Sequence, residues 1–280
     1  YRRQQRECDV VDDYDSPWKE AIERHFADFV HFFFPAAHAQ IDWAKPVEFL
    51  EQELRSVVRD AELGTRFVDK LVRVSLLDGR PEWVYVHLEV QGSPQANFAE
   101  RMFVYNYRLF DRYHLPIASL ALLADDQTSW RPSSYAYQAL GCDMGIRFPV
   151  AKLLDWSGSE ARLEDSGNPF ALVTWAHLAT RSTRTDPEAR YRFKLAVLRS
   201  LYRRGWDRQR MTDLFSVIDW MMHLPDGLEL KFRRDLDVLE EETTMRYVTS
   251  IERIAKKEGM ELGIQQGMQQ WARIPLLQIR

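Results

Sequence analysis

From Phe67 to Gln91 the chain, FVDKLVRVSLLDGRPEWVYVHLEVQ, alternates with a period of two, and the alternation is interrupted at Asp78-Gly79. A period of two predicts strands with one packed face, and Asp-Gly between two such runs predicts a hairpin. Val68, Val72, Val74 and Leu76, then Val84, Val86, Leu88 and Val90, fall at even positions and form the apolar face, with Lys70 as the exception. Asp69, Arg73 and Ser75, then Tyr85, His87, Glu89 and Gln91, fall at odd positions and form the polar face. A turn centred on Gly79–Arg80 sets Asp69 roughly opposite Gln91, with Glu89 one step along. Two carboxylates and an amide then converge on one side of a sheet whose other side is packed.

Elsewhere the spacing changes to that of helices. Ser16–Phe34 opens with Ser16 as a cap and Pro17 in the first turn, and Pro35 closes it. Its Trp18, Ile22, Phe26, Phe29 and Phe33 make an apolar stripe suited to a core. A shorter helix is expected around Val47–Val58, and a long one over Phe98–Tyr113. The run Pro116–Ala124, PIASLALLA, fits a strand buried on both faces. Ser134–Leu140 and Gly145–Val150 read as short strands. After Leu153 the character becomes helical, with segments at Asn168–Arg181, Pro187–Arg204, Asp207–Leu224 and Gly227–Glu242, and short connections suit antiparallel packing.

The expected class is therefore α/β, a mixed sheet flanked by helices, followed by an α-helical C-terminal portion. The expected organisation is an N-terminal extension over 1–14, a sheet domain over 15–153, a helical region over 154–250 and a tail over 251–280. In that tail, Gly259, Gly263 and Gly267 recur every four residues in a polar context, which suits an oligomerising helix or a frayed end. One preceding strand is needed before the Asp69 strand, and Ile41–Trp43 is the candidate.

The polar face of the hairpin carries the candidate chemistry. Hard divalent cations take oxygen ligands, commonly one or two carboxylates with water and substrate phosphate. A solvated outer sheet face also carries Asp, Glu and Gln, so the pattern alone admits both. Asp69 followed by Glu89-Val90-Gln91 resembles the core of the PD-(D/E)xK nuclease superfamily, with Gln91 where a lysine usually stands. DSPWKEAIERHF (Asp15–Phe26), FVDKLVRV (Phe67–Val74), VHLEVQG (Val86–Gly92) and FAERMFVYNYRLFDRY (Phe98–Tyr113) are similar to the Rpn/YhgA-like branch, the recombination-promoting nucleases or transposase-like proteins. The resemblance runs from about Asp15 to near Gly267.

That resemblance implies a PD-(D/E)xK-like fold and a magnesium-dependent DNA endonuclease in which manganese substitutes, with a role in recombination or mobile elements. It implies that Asp69 and Glu89 bind the metal, with the carbonyl of residue 90, and that Gln91 orients the attacking water or the scissile phosphate. An acid of the first helix completes such sites. Asp15, Glu20 and Glu23 qualify, and Asp15 is favoured for its place in DSPWK, although a capping carboxylate explains it equally. Arg101 and Tyr105, one helical turn apart, would contact the phosphate backbone, or Arg101 would pair with Glu89 or Asp69 inside the folded site. Lys70 qualifies as a displaced lysine if a bulge re-aims it. The alternative is a nuclease-fold module without catalysis that binds DNA or protein.

Composition narrows this further. With 280 residues, 45% hydrophobic content and nine Trp, the chain can bury a large core as one domain or two. A net charge of −4 sets aside a protein that coats nucleic acid through bulk positive charge. Between Arg181 and Arg210, however, ten Lys/Arg stand against three Asp/Glu. Such a cluster serves phosphate binding or lies along a solvated helix face. Cys8 and Cys142 form no ligand pattern and suit a reducing compartment. No apolar run reaches membrane-span length, and YRRQQRECDVVDD lacks the apolar core of a signal peptide. A cytoplasmic protein is expected, with upstream sequence or the initiator Met missing before Tyr1, and with self-association through its C-terminal helices.

Overall fold

The structure, a computed structural model, describes residues 15–50, 68–78 and 83–242, and at 15–17, 19–20, 68–69 and 83–91 it describes the backbone only. Helices α1 (Asp15–Arg24), α2 (Phe26–Phe33) and α3 (Pro35–His38) lead into strands β1 (Glu48–Phe49), β2 (Val68–Ser75) and β3 (Trp83–Gln91). Helix α4 (Phe98–Tyr113) follows, then β4 (Ile117–Leu123), β5 (Ser134–Ala139), β6 (Cys142–Arg147) and β7 (Val150–Lys152). The remainder is helical: α5 (Glu160–Asp165), α6 (Pro169–Ser182), α7 (Pro187–Arg203), α8 (Arg208–Met221) and α9 (Asp226–Glu242).

The main sheet has the order β1-β2-β3-β4-β7. Pairing is antiparallel from β1 to β3 and parallel from β3 through β4 to β7. The class is thus mixed α/β. One face buries Val72, Val74, Leu120 and Leu122 against Trp18, Ile22, Phe29 and Phe33 of α1 and α2. The 3.6-residue spacing of that helical stripe is what aims it at the sheet. On the other face Phe98, Met102 and Leu109 of α4 cover Leu71, Ala121 and Leu123.

The C-terminal helices extend the first of these cores. Helix α6 is buried from Pro169 to Ala179, as expected for a helix apolar on all sides. Its Phe170 ring lies 6.1 Å from Trp18, 5.1 Å from Phe29 and 6.1 Å from Phe33. Asn168, Asp186 and Asp207 cap α6, α7 and α8 through side-chain bonds from Phe170 N–H, Ala189 N–H and Arg210 N–H, satisfying donors that a helix start otherwise leaves unpaired.

Several expectations need correction. The helix over Ser16–Phe34 is two helices, because His25 leaves helical geometry at φ −124° and ψ 38°. Pro35 ends α2 and at once starts α3, since a proline lacks the N–H that the first helical position does not need. Of the helix expected over Val47–Val58, Glu48–Phe49 is a strand and the part from Glu51 on lies outside the described residues. Ile41 makes an isolated bridge to Leu76, so β1, and not Ile41–Trp43, is the strand before β2.

The strands expected at Ser134–Leu140 and Gly145–Val150 also resolve differently. They pair as the separate hairpin β5–β6, closed by Leu140 and Gly141 at φ 50° and 82°. Two positive φ values make a tight hairpin turn, and a leucine in that position is not a turn signal. The Gly-repeat tail, the N-terminal extension and Cys8 lie outside the described residues.

Candidate active site

Strands β2 and β3 pair in the register Asp69↔Glu89, Leu71↔His87 and Arg73↔Tyr85. Asp69 therefore stands directly opposite Glu89, and Gln91 lies two residues on, past the start of β2 at Val68. The expected pairing of Asp69 with Gln91 is corrected. The end of β2 is drawn to its other neighbour, where Leu76 bridges Ile41, Asp42 N–H donates to the Ser75 carbonyl at 2.8 Å, and Leu77 N–H donates to the Gln40 carbonyl at 3.0 Å. The last pair with β3 is Ser75↔Trp83, so the ladder closes further from Asp78-Gly79 than a two-residue turn would allow.

The next strand adds small and apolar neighbours. Glu89 faces Ala121 of β4, Ala121 faces Val150 of β7, and Gln91 faces Leu123, which faces Lys152. Asp69, Glu89 and Gln91 share strand parity with Leu71, Ala121 and Leu123. Of these, Leu71, Ala121 and Leu123 are the positions that α4 covers. Leu71 itself is fully buried. Lys70, of opposite parity, is buried on the α1 side, where its Nζ lies 3.0 Å from Glu23 Oε2 and 5.7 Å from the centre of the Phe49 ring. The strand carries Lys70 away from the Asp69 side, which removes it as a displaced lysine. Glu23 is engaged there too and does not complete a site around Asp69. Asp15 is the first residue of α1 and Glu20 lies in its middle.

Helix α4 presents the stripe Phe98, Arg101, Met102, Tyr105 and Leu109 inward. Arg101 retains 5% of its surface and Tyr105 2%. The guanidinium of Arg101 donates to Gln95 Oε1 and lies 5.5 Å from the centre of the Phe98 ring. Asn106 Nδ2 donates to the Ile117 carbonyl at 2.9 Å and to Ser119 Oγ at 3.1 Å, which satisfies the buried Ser119 and fixes α4 on β4. A buried guanidinium on this stripe brings positive charge and fixed donors to the side of the sheet that holds Asp69 and Glu89. Among the described residues, no group of three or more His, Cys, Asp or Glu side chains converges on a metal position. The Asp69 and Glu89 side chains lie outside that set.

The pattern reading missed a second polar group at the same end of the sheet. Lys152 Nζ lies 2.5 Å from Asp125 Oδ2, with both side chains fully buried, and 3.2 Å from the Trp130 carbonyl. Asp125 Oδ1 accepts from Gln127 N–H at 2.8 Å, and Arg181 donates to the Asp125 carbonyl at 2.8 Å. The His177 ring, 3.2 Å from the Ala124 carbonyl, lies beside them. Burial, helped by Arg181, pushes its pKa down to about 4. Ligands commonly gather outside the C-terminal ends of parallel strands, but this fully buried pair clamps β4 to β7 instead of offering a reactive group to solvent. Its signals were a lysine inside the apolar PVAKLL and an Asp-Asp pair directly after a buried strand.

The basic cluster divides: Arg184, Arg192, Arg199, Arg203 and Arg208 are exposed, and the others are engaged with the fold. Lys194 Nζ, buried, pairs with Asp219 at 2.6 Å, and Arg203 pairs with Glu164 at 2.6 Å. Arg204 donates to the Ser166 and Glu164 carbonyls, Arg210 pairs with Asp28, and Arg190 donates to the Thr180 carbonyl at 3.1 Å. No helix among the described residues is long and apolar enough to cross a membrane. No family model, curated protein or solved structure matches the chain.

Proposed function

We propose that this chain is a divalent-metal-dependent DNA endonuclease of the Rpn/YhgA-like, PD-(D/E)xK type, hydrolysing a phosphodiester bond at Asp69 and Glu89. The observation that carries the reading is the pairing Asp69↔Glu89 on adjacent inner strands. Directly opposed residues hold their Cβ atoms about 4.5–5.5 Å apart, a separation that two carboxylates can close around one cation. The order of elements supports the same reading: helix, antiparallel β1 to β3, helix, then the parallel strand β4. The buried Arg101 lies on α4, the helix that covers Leu71, Ala121 and Leu123 on the same strand parity as the two acids, and a guanidinium suits an anionic substrate.

Asp69 and Glu89 would hold magnesium or manganese. Once bound, the ion supplies a water of lowered pKa and positive charge for the developing oxyanion. Gln91 orients the attacking water through its amide, but it takes no proton. Arg101, with 5% of its surface open, is the candidate contact to a phosphate, whereas Tyr105, at 2%, packs α4 onto the sheet. Asp15, at the start of α1, belongs to the helix that packs on the opposite face of the sheet. A second reading, a nuclease-fold module that binds DNA or protein without cutting, draws support from Gln91 in the lysine position and from the internal commitments of the basic helices.

Cleavage of supercoiled plasmid with magnesium or manganese, against a chelator control, tests the choice. Wild type is expected to cut, and Asp69→Ala and Glu89→Ala are each expected to lose at least about a hundredfold in rate, about 3 kcal/mol of transition-state stabilisation. Equal cutting by all three proteins would remove the site. Salt-sensitive DNA binding without cutting would establish the second reading in its place.

A further inference from the structure

The hairpin β5–β6 stands apart from the main sheet and is nearly all surface. Leu140 at its tip is fully exposed, and Tyr137 and Met144 are exposed along it. It is moored on one side only. Phe103 of α4 lies 5.4 Å from Tyr135 and 6.1 Å from Tyr137, while Ile146 packs with Phe98 and Phe148. Strand β5 lies against α4, and among the described residues no strand pairs with the outer edge of β6. Two strands alone are marginal in water, and an unpaired edge is a template for another strand.

The backbone polarity of that edge follows from the register. Phe148 N–H donates to the Ser133 carbonyl at 2.9 Å, and Tyr135↔Ile146 and Tyr137↔Met144 are Cα partners. Antiparallel ladders alternate bonded and non-bonded pairs. Ile146, Met144 and Cys142 therefore direct their groups to β5, and Asp143, Gly145 and Arg147 direct theirs outward. Neither Asp143 nor Arg147 makes an ion pair among the described residues, and both are exposed.

We propose that β6 pairs antiparallel with β6 of a second copy of this chain, about a two-fold axis through Gly145. That register brings every outward group of one strand to an outward group of the other, for about six interchain hydrogen bonds. It sets Asp143 against Arg147 of the other copy twice, once on each side of the axis, and Met144 beside the other copy's Ile146. A surface that is self-complementary in charge around its own centre is what a two-fold interface requires. The strand carries one charge of each sign, which suits a copy of itself and not the phosphate backbone of a nucleic acid. Gly145 adds no side chain at the axis, and a Cβ there would meet the Tyr135 carbonyl at 2.7 Å. The hairpin thus keeps this position open for its own sake. The pairing stands whether or not the chain cuts DNA.

A charge swap tests it. Sedimentation of the full chain from about 1 to about 100 µM is expected to show a dimer. Asp143→Arg and Arg147→Asp each create two like-charge pairs and are expected to weaken it at least about tenfold. The double variant restores both pairs with their signs exchanged and is expected to return to the wild-type constant. Both side chains are exposed, so the double variant also controls for folding. A monomer throughout, single variants that dimerise as wild type does, or a double variant no better than the singles would each overturn the proposal.

Discussion

Lys152 is a fully buried lysine whose charge is balanced by one carboxylate. Its Nζ lies 2.5 Å from Asp125 Oδ2, and both side chains are fully buried. Removing one member of such a pair leaves a charge stranded in a medium that solvates it poorly. Lys152→Met is therefore expected to cost about 3–5 kcal/mol in denaturant unfolding. Combining it with Asp125→Asn, which keeps an acceptor for Gln127 N–H, should recover most of that loss. At this scale, residues whose identity and spacing agree were legible: Trp18, Ile22, Phe29 and Phe33 are core in the pattern and core in the fold. Residues whose identity opposes their place were not. Lys70 broke the apolar face and is buried in it beside Glu23, Lys152 is buried beside Asp125 and the Trp130 carbonyl, and Leu71, on the polar parity, is buried by α4, a helix distant in sequence.

Element ends were legible wherever a side chain enforces them. Asn168-Pro169 marks the start of α6 because Asn168 Oδ1 accepts from Phe170 N–H at 2.9 Å and Pro169 needs no partner. The sequence does not reveal that Asn168 Nδ2 also donates to the Asp28 carbonyl at 2.8 Å, joining the start of α6 to α2. Asn168→Ala loses both bonds and is expected to cost about 1–2 kcal/mol. Asn168→Asp keeps the cap and loses only the donor, so its thermal or denaturant midpoint should fall between wild type and Asn168→Ala. Equal midpoints for the two variants would mean that the cap contributes nothing. The hairpins behaved differently because their ends are fixed by pairing across the sheet. The turn at Leu140-Gly141 has no polar turn residue before its glycine, and beyond the β2–β3 ladder Leu76 bridges Ile41, a contact that no local pattern encodes.

The whole molecule is organised around the ends of β4 and β7, where the sheet meets the helical half. The alternation already announced β2 and β3 as a hairpin, so the pairing on which the candidate site rests was legible. Its register and its cover, α4 with Arg101 and Tyr105 buried, depend on contacts distant in sequence. The junction itself predicts how the fold responds to acid. His177 of α6 donates from Nε2 to the Ala124 carbonyl at 3.2 Å, and burial, with Arg181 beside it, holds its pKa near about 4 against an ordinary 6.5. The folded state therefore keeps this imidazole neutral at pH values where the unfolded chain protonates it. Stability present above pH 6.5 is lost as the pH falls through the window from 6.5 to about 4, because the unfolded chain then binds the extra proton. His177 alone contributes about 2 kcal/mol of loss between pH 7 and pH 5. His25 and His38, whose pKa values burial also lowers, add to the same trend. In His177→Gln, neutral at every pH and still able to donate to a carbonyl, the fall in unfolding free energy between pH 7 and pH 5 is expected to shrink by that amount. An unchanged slope would mean that burial does not lower the His177 pKa in the folded state.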